Sequence, residues 1–145
     1  MAYTVKRALF DLLEVQSQAG FPLEGVQVTY SAPTDPTRAD LYGAGFHFIQ
    51  AETTGHPGRV VVDETVSVAL IVRVSDPAAE VETTDAEAER IADVLADVLD
   101  DNPFLDAAQE MTVVGLSTGV GDYDPILGFG RSTLGLEVAV QCLIS

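Results

Sequence analysis

The sequence predicts an α+β fold in which an antiparallel β-sheet has two amphipathic helices packed on one face. Two segments place apolar residues at helical spacing, whereas several others alternate apolar and polar residues with a period of two. The segments follow in the order helix, strand, hairpin, helix, hairpin, which is typical of helices collected on one side of a sheet. With 145 residues, 47% of them hydrophobic, the chain is expected to form a single domain, residues 1–145.

The two predicted helices are bounded by residues that favour helix ends. The first runs from Val5 to Ala19, and Gly20 suits the left-handed position beyond its end. The second is expected to begin at the sequence Thr84–Glu87, which has the pattern of a capping box. It is expected to stop at Asn102–Pro103, because the residue before a proline disfavours helical backbone.

Five segments are predicted to be strands, and one of them, which contains Gly43 and Gly45, is expected to be bulged or bent. The strongest carries a valine or leucine at nearly every second position, and a turn-rich segment, residues 53–58, predicts an antiparallel hairpin with the strand before it. A glycine-rich stretch, residues 119–130, is interpreted as a flexible hairpin tip, since it precedes a strand and lacks the motif of a phosphate-binding loop. The five segments are Val26–Tyr30, Leu41–Ala51, Arg59–Val74, Met111–Thr118 and Thr133–Ile144.

The charge and the cysteine content exclude several classes of function. The chain has 23 Asp and Glu residues against 7 Lys and Arg, a formal net charge of −16, so its surface as a whole should repel nucleic-acid phosphates. The single Cys142 has no partner for a disulfide and is expected to act as a small hydrophobic residue. No signal-peptide pattern and no apolar run of membrane-spanning length is present, so we expect a soluble protein without a membrane partner.

The residues that usually carry out catalysis or hold metals are scattered. His47 and His56 fall in a strand and a loop without a partner at metal-ligand spacing. Asp122 and Asp124 could offer two carboxylates to a calcium ion, although the remaining ligands of a calcium loop are missing. We therefore expect no enzymatic activity, no catalytic residues, no cofactor and no resident metal, and we interpret the acidic residues of the second helix as a solvated face.

The order of elements, together with two local sequences, resembles the tail terminator proteins of long-tailed bacteriophages. The matching segments are Glu24–Tyr30, which leads into a turn containing Pro33 and Pro36, and Asp85–Glu89 at the start of the second helix. The resemblance implies a structural virion protein of the tail or neck, assembled in the host cytoplasm. Such a protein would form a hexameric ring that caps the tail tube, stops its polymerisation and joins it to the head connector or stopper protein.

Contacts within such a ring are expected at two hairpin tips, Gln50–Arg59 and Gly119–Arg131. Arginines are scarce in this acidic chain and suit pairing with carboxylates of a neighbouring subunit. The predicted assembly residues are Arg38, His56, Arg59, Asp122, Tyr123, Asp124, Phe129 and Arg131.

The same resemblance gives the acidity a role, because double-stranded DNA would pass through the lumen without specific binding if acidic residues lined it. Two alternatives remain at this point. The chain could be another neck or head–tail joining protein, or an acidic binding module whose residues 87–101 mimic nucleic acid and block a basic partner.

Overall fold

Two helices lie on one face of a five-stranded sheet in the computed structural model, which describes residues 2–54, 61–123 and 130–144. This arrangement confirms the α+β class. The elements in chain order are α1 (Ala2–Gln16), β1 (Gln27–Thr29), β2 (Ala39–Thr54), β3 (Val61–Asp76), α2 (Val81–Asp101), β4 (Met111–Tyr123) and β5 (Gly130–Ile144).

The sheet has the strand order β1-β2-β3-β5-β4 and is antiparallel from β2 to β4. The predicted β2–β3 hairpin pairing is confirmed, with Leu41 opposite Val72. The short β1 pairs with β2 in parallel, which makes the sheet mixed where an antiparallel one was expected. Residues 30–38, which include Pro33 and Pro36, connect the two strands and bring the chain back so that β2 runs in the same direction as β1.

Alternation along β3 creates the core. Every second residue from Val66 to Val74 is at most 1% exposed and faces the helices. Leu9 of α1 and Leu95 of α2 are fully buried against this row, and both helices contact β3. Burying each such side chain contributes about 1.5–3 kcal/mol, so the one-sided packing predicted from the sequence is also what holds the fold together.

The start of α2 differs from the prediction. The helix begins at Val81, and Thr84, expected to cap it, lies buried inside its first turn. The Thr84 hydroxyl is 3.0 Å from the carbonyl oxygen of Val81 and 2.7 Å from the hydroxyl of Ser132 on β5. The capping-box prediction is therefore wrong, because the threonine bonds to β5 instead of to a free amide of its own helix.

The glycine-rich stretch also differs from the prediction. β4 continues to Tyr123, five residues beyond Thr118 where it was expected to end, and pairs Asp122 with Thr133 on β5. Residues 124–129, the remainder of the predicted tip, lie outside the described residues. α1 likewise spans Ala2–Gln16 and ends before Ala19, as the chain turns towards Gly20, which has a φ of +86°.

A buried ion pair fixes the corner where β1, β2 and β3 meet. The side chain of Asp40 is fully buried and accepts a hydrogen bond from Arg73 at 3.2 Å. The amide and the hydroxyl of Thr37 both donate to the same carboxylate, at 3.1 and 2.8 Å. Removing the carboxylate would leave the largely covered Arg73 guanidinium and the amide of Thr37 without their acceptor, which is the costly case for a buried pair.

We expect the substitution Asp40→Ala to lower the free energy of unfolding by about 3–5 kcal/mol, as measured by urea denaturation. The matched control is Asp11→Ala, which removes the exposed partner of Arg7 on α1. An exposed pair contributes at most about 1 kcal/mol, so a loss of equal size in both variants would contradict this account of the corner.

Cys142 lies on the helix side of β5 and is only 1% exposed. Burial, followed by the negative charges of Glu64 and Asp106, raises the pKa of its thiol above the ordinary value of 9.0. The expectation of a small buried hydrophobic residue is confirmed. A raised pKa means that folding favours the neutral thiol, so this contribution to stability is complete below pH 9.0 and is lost as pH rises through the native pKa.

We therefore expect the free energy of unfolding to fall more steeply above pH 9 in the natural chain than in a Cys142→Ala variant. In the folded chain, Ellman's reagent should modify the thiol at least about tenfold more slowly than in urea, because the reactive thiolate is both scarce and shielded. Equal rates in the two conditions would contradict the burial of Cys142.

Candidate assembly surface

Both margins of the sheet present unpaired backbone. β1 covers β2 only at residues Asp40–Tyr42, and no strand among the described residues pairs with the outer side of β2 from Gly45 to Thr54. We call this segment the β2 edge. On the opposite margin, the amide of Val113 donates to Pro103 at 2.7 Å, but no described backbone partner covers the outer side of β4 from Val114 to Tyr123. We call this second segment the β4 edge.

The two edges are nearly free of charge in a strongly charged chain. The β2 edge contains one acidic residue, Glu52, and the β4 edge contains one, Asp122, and neither has lysine, arginine or proline. Edge strands of monomeric proteins are usually protected from pairing by such residues. β-bulges interrupt both edges, at Phe48/Gln50 and at Thr118/Gly121, and bulges restrict pairing to the regular stretches between them.

A groove lined mostly by apolar residue types lies beside the β4 edge. Because α2 packs mainly over β5 and β3, the helix side of β4 is only partly covered, which leaves a groove of about 330 Å³. Asp100 is the one charged residue among its described lining residues, and Val114 at its margin is 55% exposed. The other lining residues are Ala96, Leu99, Pro103, Val113, Gly115 and Leu116.

An aromatic and cationic corner lies beside the β2 edge. Phe46 is 44% exposed, although it pairs with the buried Val68 and so stands on the helix side of the sheet. The ammonium of Lys6 on α1 lies 5.9 Å from the Phe46 ring and 3.9 Å from the Tyr30 ring. Lys6 is 6% exposed, burial lowers its pKa, and it forms no ion pair with a carboxylate in the described part of the chain.

Of the predicted assembly residues, four meet at one end of the sheet. The carbonyl oxygen of Arg38 accepts a hydrogen bond from Ser75 at 2.8 Å, and Ser75 is paired with Arg131. The backbone of Asp122 and Tyr123 reaches the same end, at the last residues of β4. The other four predicted residues, His56, Arg59, Asp124 and Phe129, lie outside the described residues.

The two arginines at this end differ in their surroundings. Arg38 is exposed, with its guanidinium 3.5 Å from the Asp76 carboxylate. Arg131 is half-buried on the face of the sheet that carries no helix. Neither lies on the β2 edge or the β4 edge, so a role in contacts between subunits stays a prediction for both.

The acidic residues of α2 form an exposed face, as the solvated-face interpretation expects. Glu89, Asp93 and Asp97 are all exposed and point away from the core row of the same helix. Within the described ranges, no three His, Cys, Asp or Glu side chains are grouped closely enough to hold a metal ion. No described helix is long and apolar enough to cross a membrane.

The sequence did not indicate the apolar groove or the exposed Phe46. A β-bulge between Gly43 and Gly45 shifts the alternation of β2 by one residue, so Phe46 and Leu41 share the helix side in spite of their odd separation. The bulged or bent strand expected from Gly43 and Gly45 is confirmed, whereas its effect on the exposure of Phe46 was not predicted.

No protein-family model matches this chain, and no curated protein sequence matches it. Among solved structures, the chain is similar to one described as a sheath/tube terminator in the extended state, from the cryo-EM structure of an extracellular contractile injection system, PVC. The two chains are 14% identical, with a TM-score of 0.40. The match covers 97% of this chain and 56% of that one, so this chain spans little more than half the length of its structural neighbour.

Proposed function

We propose that this chain is a structural protein that assembles with copies of itself into a hexameric ring. The ring would terminate the tube of a phage tail or a related tube. The observation that carries the proposal is the pair of open, nearly uncharged edges on opposite margins of one sheet. Two different complementary surfaces on one subunit produce a head-to-tail assembly, which closes into a ring when the rotation between subunits allows it.

The distribution of charge supports this role. The exposed Glu89, Asp93 and Asp97 of α2 lie on the helix side of the sheet, and of the exposed acids on this helix Asp100 lines the groove beside the β4 edge. Subunits can therefore meet where negative charge is least dense, although each has a net charge of −16. In this proposal the tube protein and the head connector or stopper contact the two ends of the ring, and acidic walls allow DNA to pass without binding.

A second candidate function rests on the same acidic face. Exposed carboxylates at Glu89, Asp93 and Asp97 repeat along α2, as charges repeat along a nucleic-acid backbone. An inhibitor of a basic protein would use this face as a monomer. Its electrostatic attraction to the partner would weaken as salt rises.

The salt dependence of self-association distinguishes the ring from the inhibitor. For the ring, we expect self-association to strengthen between 20 mM and about 500 mM NaCl, because added ions screen the repulsion between subunits of charge −16. Sedimentation velocity should show a species near six times the 15.4 kDa subunit mass at high salt. A monomer at all salt concentrations that binds a basic protein at low salt would favour the inhibitor.

A terminator must also bind at one end of a tube and stop its growth there. In lysates of a producing strain that lacks this chain, we expect electron micrographs to show tubes of uncontrolled length without a closing ring. Purified chain added to such tubes should appear as extra density at one end only. Tubes of normal length in the deletion strain, or binding along the whole tube, would contradict the terminator role while leaving self-assembly intact.

A further inference from the structure

We propose that the β2 edge of one copy pairs with the β4 edge of the next copy and that Phe46 seats in the groove between α2 and β4. The inference rests on the proposed assembly of identical copies and names the surfaces that join them. It assigns the contact to the two margins of the sheet, whereas the sequence placed it at the hairpin tips.

Strand direction permits this pairing. β3 runs opposite to both β2 and β5, and β4 runs opposite to β5, so β2 and β4 of one copy are antiparallel to each other. When the β2 edge of a neighbour lies beside β4 in the same orientation, the new pair is antiparallel as well. The helices of both copies then remain on the same side of the continuous sheet.

The register follows from the faces of the sheet. Phe46, Val68, Val138 and Leu116 form one row of paired residues across the sheet, and the buried members of this row face the helices. If this row continues from one copy into the next, Phe46 of the neighbouring copy lies opposite Leu116, which lines the groove. A shift of one residue in the pairing between the two edges would place Phe46 on the helix-free face, away from the groove. Insertion of Phe46 into the groove therefore favours this register.

The regular stretches of the two edges have the same length. Bulges enclose Gly45–Phe48 on β2 and Gly115–Thr118 on β4, and three residues of each stretch, 45–47 and 115–117, lie at the same height in the sheet. Neither stretch contains an Asp, Glu, Lys or Arg residue. Pairing therefore joins regular backbone to regular backbone over these three residues and places no like charges opposite each other.

Local charges also complement each other. The largely buried Lys6 ammonium lies 5.9 Å from the Phe46 ring, so the inserted ring has a positive charge behind it. The groove contributes Asp100, its one charged residue among the described lining. Lys6 and Asp100 are opposite in charge, and this arrangement favours a second copy of this chain over an unrelated acidic partner.

The first test compares two phenylalanines of similar exposure. Phe46→Glu places a carboxylate into the apolar groove, whereas the control Phe21→Glu alters a residue that is 41% exposed in the loop after α1. We expect sedimentation at high salt to show at least about a tenfold weaker self-association for Phe46→Glu and wild-type behaviour for Phe21→Glu. Urea denaturation verifies that both variants are folded.

A second test detects the pairing directly. Residues opposite each other on antiparallel strands have Cα atoms about 4.5–5.5 Å apart, within the range that a disulfide spans. Phe46→Cys chains mixed with Leu116→Cys chains should form a disulfide-linked dimer under mild oxidation, whereas neither variant alone should do so. The buried Cys142 is present in every sample and serves as an internal control.

The outcomes separate this inference from the proposed function. If Phe46→Glu still forms rings and caps tubes, or if the mixed cysteines do not cross-link within wild-type-sized assemblies, the pairing is wrong and the terminator role stands. If the natural chain forms no assembly at any salt or protein concentration and does not bind tube ends, both are wrong. Loss of rings in Phe46→Glu together with the mixed cross-link supports the pairing.

Discussion

The alternation of β3 is the constraint on which the rest of the molecule depends. β3 lies in the centre of the sheet, and both helices contact it on the side of its buried row from Val66 to Val74. Because every apolar residue of that row points to the same side, both helices must lie there. The helices cover the middle of the sheet best and its margins least, which leaves the groove at β4 and the exposed Phe46 at β2.

Periodicity explains why so much of this architecture could be predicted from the sequence. β3 and the core stripe of α2 repeat at their ideal periods over many residues, and their type, order and packing side were all predicted. The features that could not be predicted depend on contacts distant in sequence. β1 pairs in parallel with β2 at Asp40–Tyr42, and Thr84 bonds to Ser132, so local patterns alone gave the wrong strand direction for β1 and the wrong helix start.

The candidate site was harder to predict than the fold for a related reason. Scarce arginines and loop tips are visible in a sequence, whereas an open strand edge is defined by the absence of a neighbour in three dimensions. Arg38 and Arg131 come together at one end of the sheet, as the pairing of Ser75 dictates, but they lie away from both edges. The exposure of Phe46 depends on a bulge that shifts the alternation by one residue.

The link between α2 and β5 has a mechanical consequence. The amide of Gly130 donates to the carbonyl oxygen of Ala79 at 3.0 Å, and a methyl group at Gly130 would lie only 2.6 Å from that oxygen. Together with the bond between Thr84 and Ser132, this contact joins the first residues of β5 to the first turn of α2. A force applied to the first residues of β5 is therefore transmitted to the core through α2 as well as through the sheet. The helix layer and the sheet share this load.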